Sequence, residues 1–178
     1  MFKLCVFLAL SVALCYGAPD RGVACGKVPG TINRCLVFPS GVSREIWQIC
    51  NKLQGECEQL TCTFREYNLL DDEVINKERA LAFFDNYTRE NATFTAAVEH
   101  IKSECLGSVA LKPQGIYFDC PVYDVLFCVY RNLIKHAAPS QWSTTPECTA
   151  ERAFAAACPI CPDECFKPEV PAGSCNDC

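Results

Sequence analysis

The chain has few of the residues that enzymes most often use for catalysis. It contains two histidines, His100 and His136, and neither a G-x-S-x-G nor an H-E-x-x-H pattern occurs. A cysteine nucleophile paired with one histidine, or the acidic run 71–73 as an acid–base pair, remains as a catalytic alternative. The shortage of histidine favours a protein that is not an enzyme. We also expect no cofactor and no bound metal.

Basic clusters are also missing. The formal net charge is −5, and loss of Lys3 with an N-terminal leader would make it −6 (15 basic against 21 acidic residues). A basic patch is the usual footprint of nucleic-acid binding and of attraction to anionic membranes. We therefore expect neither partner.

Only the first residues form a long apolar run. Residues 4–14 follow the basic Lys3, and the small residues Gly17 and Ala18 come soon after. This pattern is typical of a secretory signal peptide and is too short for a membrane anchor. An apolar N-terminal helix of the fold is the alternative. We expect residues 1–17 to be removed and the protein to be secreted and extracellular, without membrane insertion.

Cysteine is abundant. Of the 16 cysteines, removal of Cys5 and Cys15 leaves an even fourteen. In a secreted chain of this size that number indicates a disulfide scaffold of about seven bridges with no free thiol. The fourteen are Cys25, Cys35, Cys50, Cys57, Cys62, Cys105, Cys120, Cys128, Cys148, Cys158, Cys161, Cys165, Cys175 and Cys178.

Two cysteine pairs near the C-terminus have zinc-like spacing. Cys158-x2-Cys161 and Cys175-x2-Cys178 are separated by thirteen residues, as in many structural zinc sites. In an oxidising compartment the same thiols form disulfides, and Cys165 within the interval fits no four-ligand set. Disulfides are therefore the preferred interpretation, and zinc is the alternative.

Apolar periodicity predicts an all-α fold of six to eight short helices in one domain. Ser43 and Asn76 are suitable N-caps, Pro121 suits a first helical turn, and so does Pro146 after Thr145. Residues 18–42 are rich in proline and glycine and are expected to be coil. We expect a helical domain over 18–158 and an irregular cysteine-rich tail over 159–178 packed on it.

Asn86 and Asn91 each begin an N-x-T sequence. In a secreted chain both are candidate glycosylation sites. Both lie at the junction of two predicted helices, so their use would place that junction in solvent.

Aromatic residues cluster in the middle of the chain. Their helical spacing fits a filled core or an apolar cavity that encloses a small ligand, and periodicity does not separate the two. They are Phe83, Phe84, Phe94, Tyr117, Phe118, Tyr123, Phe127 and Tyr130.

Three segments and one cysteine spacing form a recognisable pattern. Cys57 and Cys62 are a close pair, and forty-two residues separate Cys62 from Cys105. The three segments are Leu69–Glu78, Asp119–Val129 and Pro139 to Cys158. Together they resemble the close cysteine pair, the hinge, the final cysteine helix and the extended tail of the insect odorant-binding protein family, in its cysteine-rich Plus-C branch. The resemblance covers about residues 35–158.

The resemblance implies three core disulfides: Cys35–Cys62, Cys57–Cys120 and Cys105–Cys128. Several spacings depart from the family pattern. The close pair is five residues apart rather than four, Cys120 and Cys128 are eight apart rather than nine, and Ala138 stands where a cysteine is expected. One bridge is therefore open to rewiring, with Cys128 taking Cys57 as the alternative.

The resemblance also implies a function. It indicates a secreted carrier of small hydrophobic molecules such as odorants or pheromones, bound in an internal apolar cavity walled by helices over 79–87, 94–105 and 121–133. A receptor or a homodimer partner is left undefined. The alternative is a cysteine-rich inhibitor or toxin-like protein that acts on a protein partner through a surface loop. The expected lining residues are Phe84, Phe94, Ile101, Tyr123, Phe127 and Tyr130.

Overall fold

A computed structural model describes residues 22–38, 41–107, 111, 119–163, 165 and 175. The expected signal peptide, Tyr117, Phe118, Cys178 and most of the expected tail lie outside these residues. Within the described part of the chain the structure is mostly helical, with seven α-helices and one short β-hairpin. The predicted helical class and number of helices are confirmed at this level.

The helices are short. The α-helices are α1 Ile32–Cys35, α2 Arg44–Cys50, α3 Glu56–Glu66, α4 Lys77–Glu90, α5 Thr95–His100, α6 Pro121–Lys135 and α7 Thr149–Ala157. A π-helical turn, Ile101–Cys105, continues α5, and 3-10 turns occupy Ala92–Phe94, Pro139–Gln141 and Pro146–Cys148. The strands β1 Leu70–Asp71 and β2 Val74–Ile75 pair antiparallel, with Leu70 opposite Ile75.

The predicted helix starts are present for the reasons the sequence indicates. The Ser43 hydroxyl accepts a hydrogen bond from the backbone N–H of Ile46 at 3.3 Å. The Asn76 side-chain oxygen accepts from the N–H of Arg79 at 2.9 Å. Both bonds satisfy N–H groups that a first helical turn leaves without a partner. Pro121 is the first residue of α6, where it removes no helical hydrogen bond.

One local prediction is wrong. The segment expected to be coil contains α1, because Pro29, Gly30 and Thr31 form a turn in which the N–H of Ile32 bonds the Pro29 carbonyl at 2.9 Å. The segment Leu69–Glu78, which resembles the family's hinge, contains the β-hairpin, whose turn places Asp72 at φ 54°. Aspartate adopts this left-handed conformation more readily than most residues.

The largest core joins the two ends of the described chain. Residues of α1 and the segment after it pack against α6, α7 and the segments that flank α7, and Leu36 and Trp142 form an isolated β-bridge. The central members are Ile32, Leu36, Ile134, Trp142, Phe154 and Ile160. Three smaller apolar clusters extend from it along α3, α4, α5 and α6.

Six disulfides tie these elements together. Their Cα–Cα separations run from 5.3 to 5.9 Å, which is the usual range. Cys165 is disulfide-bonded as well. The six pairs are Cys25–Cys158, Cys35–Cys148, Cys50–Cys62, Cys57–Cys120, Cys105–Cys128 and Cys161–Cys175.

Two of the three pairs that the resemblance implies are present, and Cys35–Cys62 is wrong. Cys62 bonds Cys50 because α2 and α3 form a tight helical hairpin that brings these two Cα atoms to 5.6 Å. Cys35 lies at the end of α1, against the start of α7, where Cys148 is 5.4 Å away between Cα atoms.

The zinc alternative for Cys158-x2-Cys161 is wrong too. Cys158 is bonded to Cys25 and Cys161 to Cys175, so neither sulfur is a thiolate that could bind a metal.

Among the residues described, each helix is too short or too polar to cross a bilayer.

Candidate functional site

A pocket of about 450 Å³ lies between α2, α3, α4 and α6. Its lining is overwhelmingly apolar, and none of the lining residues carries a charge. The lining residues are Phe38, Gly41, Val42, Trp47, Cys50, Asn51, Gln59, Leu60, Thr63, Phe64, Tyr67, Leu69, Ala80, Phe83, Phe84, Tyr87, Leu106, Val125, Leu126, Val129, Tyr130 and Leu133.

Helix α6 forms one wall. Val125, Val129 and Leu133 recur every four residues, and this spacing aligns them on one face of a helix. Leu126 and Tyr130 lie beside that row at the same spacing. A continuous stripe of α6 therefore faces the pocket.

Helix α4 forms another wall of the pocket with three aromatic rings, those of Phe83, Phe84 and Tyr87. Phe83 packs edge-to-face on Phe84, with ring centroids 5.5 Å apart, and on Tyr67 at 5.3 Å. Ring pairs in this geometry gain about 0.5–1.5 kcal/mol beyond their buried area. The α4 side of the pocket is therefore an aromatic surface, although α4 itself contains no cysteine.

The α2–α3 hairpin forms the mouth. Trp47 on α2 is 59% exposed and Leu126 on α6 is 39% exposed, yet both line the pocket. Within α2 only Cys50 is buried, and the Cys50–Cys62 disulfide links it to α3. Exposed apolar side chains beside an apolar pocket favour an opening through which a small molecule enters.

The few polar groups of the pocket are mostly engaged by the protein. The Tyr67 hydroxyl accepts a hydrogen bond from the Ser43 N–H at 2.8 Å. The Thr63 hydroxyl donates to the Gln59 carbonyl at 2.9 Å. Burial raises the pKa of Tyr87 to about 12, and like any tyrosine it is protonated at neutral pH. Its hydroxyl is a suitable partner for one polar atom of an otherwise apolar ligand.

The predicted ligand residues are distributed over several places. Phe84 and Tyr130 line the main pocket. Tyr123, Phe127 and Tyr130 border a smaller pocket of about 300 Å³ beside Val28–Gly30, which also contains Asp163.

Phe94 and Ile101 lie in a packed cluster, 4% and 0% exposed respectively, and do not border either pocket. The structure thus brings two of the six to the main pocket, and contact of any of them with a ligand stays a prediction.

Tyr130 separates the two pockets. Its hydroxyl donates to the Asn33 side-chain oxygen at 3.2 Å, and its ring packs on Phe38 with centroids 5.9 Å apart. Burial, the largest influence, raises its pKa; the Asn33 bond opposes this, and the charge of Asp163 adds to it.

Sequence reasoning missed the α2–α3 side of the site. Leu60 and Phe64, four residues apart on α3, were detectable from their helical spacing. Trp47 and Phe38 had no comparable signal, since nothing in their neighbourhood indicates that they face α4 and α6.

The predicted glycosylation sites stay predictions. Asn86 is exposed on α4, and Asn91 ends that helix and donates its side-chain amide to the Tyr87 carbonyl at 3.0 Å.

No protein-family model matches the chain, and no curated protein matches it by sequence.

Proposed function

We propose that the protein is a secreted carrier that binds a small, mostly apolar molecule in the pocket between α2, α3, α4 and α6. The observation that carries the proposal is the uncharged, largely apolar lining of that pocket. A volume of about 450 Å³ falls in the range of small-molecule sites. The resemblance to odorant-binding proteins supports the same function.

Binding in such a pocket is driven by burial of apolar surface. A ligand that buries about 300 Å² of apolar area gains roughly 7 kcal/mol before the cost of losing its translational and rotational freedom. Three disulfides, Cys50–Cys62, Cys57–Cys120 and Cys105–Cys128, tie α2, α3 and α6 into the fold. Because these three sides of the pocket are cross-linked before the ligand arrives, binding adds little ordering cost there.

An apolar fluorescent probe such as N-phenylnaphthylamine tests the proposal. In Val129→Trp the indole ring fills the pocket from its α6 wall. We expect the probe affinity to fall at least ~10-fold, which corresponds to about 1.4 kcal/mol of binding free energy. Val74→Trp is the matched control, because Val74 is 70% exposed and lies outside the pocket. The control should bind like the parent protein.

Stability is measured on the same variants, because overpacking alone costs about 1–3 kcal/mol. A parent protein without saturable probe binding would rule out the carrier function. That result would favour the inhibitor or toxin-like alternative, which has no use for the pocket.

A further inference from the structure

Both histidines of the chain meet at one place on the surface. His100 ends α5 and His136 follows the last residue of α6, and they are far apart in sequence. Their rings stack with centroids 3.5 Å apart and an interplanar angle of 5°. A chain with two histidines in all thus places both in direct contact.

A carboxylate completes the cluster. Glu104, one turn after His100, has its Oε1 atom 3.3 Å from His100 Nδ1. One ligand-type atom from each of His100, Glu104 and His136 lies within 4.8 Å of the others. The side chains of His100 and Glu104 are 46% and 45% exposed, so an ion can reach them from solvent.

From this arrangement we propose that His100, Glu104 and His136 form a binding site for a divalent transition-metal ion, with Zn²⁺ as the best match. Two imidazoles and one carboxylate are a ligand set that zinc accepts, and they leave a fourth position for water or another ligand. The site is separate from the apolar pocket and does not depend on the carrier function.

The scaffold under the cluster is rigid. Cys105, the residue after Glu104, is bonded to Cys128 of α6. Between them, the side-chain amide of the buried Asn132 donates to the Cys128 carbonyl at 3.1 Å. Ligand side chains on such cross-linked elements need little reorganisation. Zinc–nitrogen bonds of about 2.0–2.1 Å require the ligand atoms to approach further, and rotation of the half-exposed side chains provides this.

The surrounding charges are compatible with a bound cation. The Arg131 guanidinium lies 3.7 Å from Glu104 Oε2, which leaves Oε1 on the histidine side. The Lys135 ammonium donates to the carbonyls of Ala155 and Cys158 at 2.6 and 2.9 Å. It therefore lies at the end of α7. The C-terminal end of α6 adds a favourable negative dipole beside His136.

Calorimetric titration of tag-free, chelator-treated protein with Zn²⁺ tests the site. We expect one saturable site per chain. His100→Gln and His136→Gln should each lower the zinc affinity at least ~10-fold. Even residues that only hydrogen-bond to metal ligands change the metal affinity by about 10–100-fold when they are mutated. Glu45→Gln, an exposed carboxylate outside the cluster, is the control and should bind like the parent.

Proton NMR of the parent protein gives a readout that needs no variant. Its two histidines yield two sets of ring signals, and Zn²⁺ at or below one equivalent should shift or broaden both. Unmoved ring signals, or a zinc affinity that neither histidine variant changes, would overturn the proposal. Far-ultraviolet circular dichroism and the urea midpoint of each variant report whether the remainder of the fold is intact.

Discussion

Lys135 illustrates how one side chain joins two helices. Its ammonium lies at the C-terminal end of α7, where it donates to the Ala155 and Cys158 carbonyls. The last carbonyls of a helix have no partner within the helix, and a cation there also interacts favourably with the helix dipole. Lys135 therefore stabilises the packing of α7 on α6.

We expect Lys135→Met to lower the free energy of unfolding by about 1–2 kcal/mol, because carbonyls at the end of α7 lose a charged donor. Urea unfolding, monitored by circular dichroism, measures this free energy. Lys52→Met is the control, since Lys52 is exposed after the end of α2. Equal stability of the two variants would contradict the role of Lys135.

The Asp71 carboxylate gives the hairpin a pH dependence. It accepts from the Asn76 side chain at 2.7 Å and from Arg79 at 2.5 Å. These two bonds, the Asn76 bond most, lower the pKa of Asp71 below its ordinary value of 3.8. A lowered pKa in the folded state stabilises the fold above the pKa of the unfolded state, and this contribution is lost as the pH falls through the folded pKa.

The expected outcome follows from that sign. Asp71→Asn should be less stable than the parent at pH 7, and the difference should shrink below pH 3.8 as the parent's carboxylate becomes protonated. Parallel urea titrations at pH 7 and in acid measure both differences. A gap that is the same at both pH values would show that protonation of Asp71 is not involved.

At the level of elements, the connection between α2 and α3 contains a glycine with an unusual backbone conformation. Gly55 precedes the first residue of α3 at φ 98° and ψ 135°, a conformation that residues with a side chain rarely adopt. A Cβ built there would meet nothing within 4 Å. Only the backbone conformation therefore selects glycine at this position.

Gly55→Ala should destabilise the protein by about 1–3 kcal/mol through this backbone strain. Gly22→Ala is the matched control, because its Cβ also meets open space and its φ lies outside the left-handed range. The urea midpoints of the two variants measure the difference in stability. A Gly55→Ala protein as stable as the control would mean that the hairpin relaxes without cost.

The elements that the sequence predicted well are those with a local cause. Ser43, Asn76 and Pro121 define helix starts through their own side chains, so neighbouring residues suffice to locate them. The strands of the β-hairpin are two residues long, too short for an alternating pattern. The π-helical turn after α5 also escapes detection, because its residues show ordinary helical spacing.

The whole molecule is defined by its cross-links. All the cysteines that the structure describes are disulfide-bonded. We expect the mature, secreted protein, denatured but not reduced, to contain no titratable thiol. Reaction with a thiol reagent in guanidinium measures this, with the reduced protein as the positive control. Two or more reactive thiols per chain would contradict full oxidation.

The candidate sites were less predictable than the fold because they combine distant residues. The metal cluster requires the ends of α5 and α6 to meet, and nothing near His100 in the sequence indicates His136. The pocket likewise depends on how α2 and α3 lie over α4 and α6. The wrong prediction for Cys35, which bonds Cys148 and not Cys62, has the same origin. Spacing along the chain does not show which helix ends are adjacent.

The bridges that join α1 and its preceding segment to α7 have a consequence for biosynthesis. Cys25 is made early, but its partner Cys158 follows 133 residues later, roughly 7–27 s at ordinary rates of translation. Cys50, Cys57 and Cys62 appear long before that partner. In an oxidising compartment we therefore expect Cys25 and Cys35 to meet these cysteines before their own partners are made, and thiol–disulfide exchange would then correct the wrong pairs. We expect maturation to be faster in the presence of a disulfide isomerase.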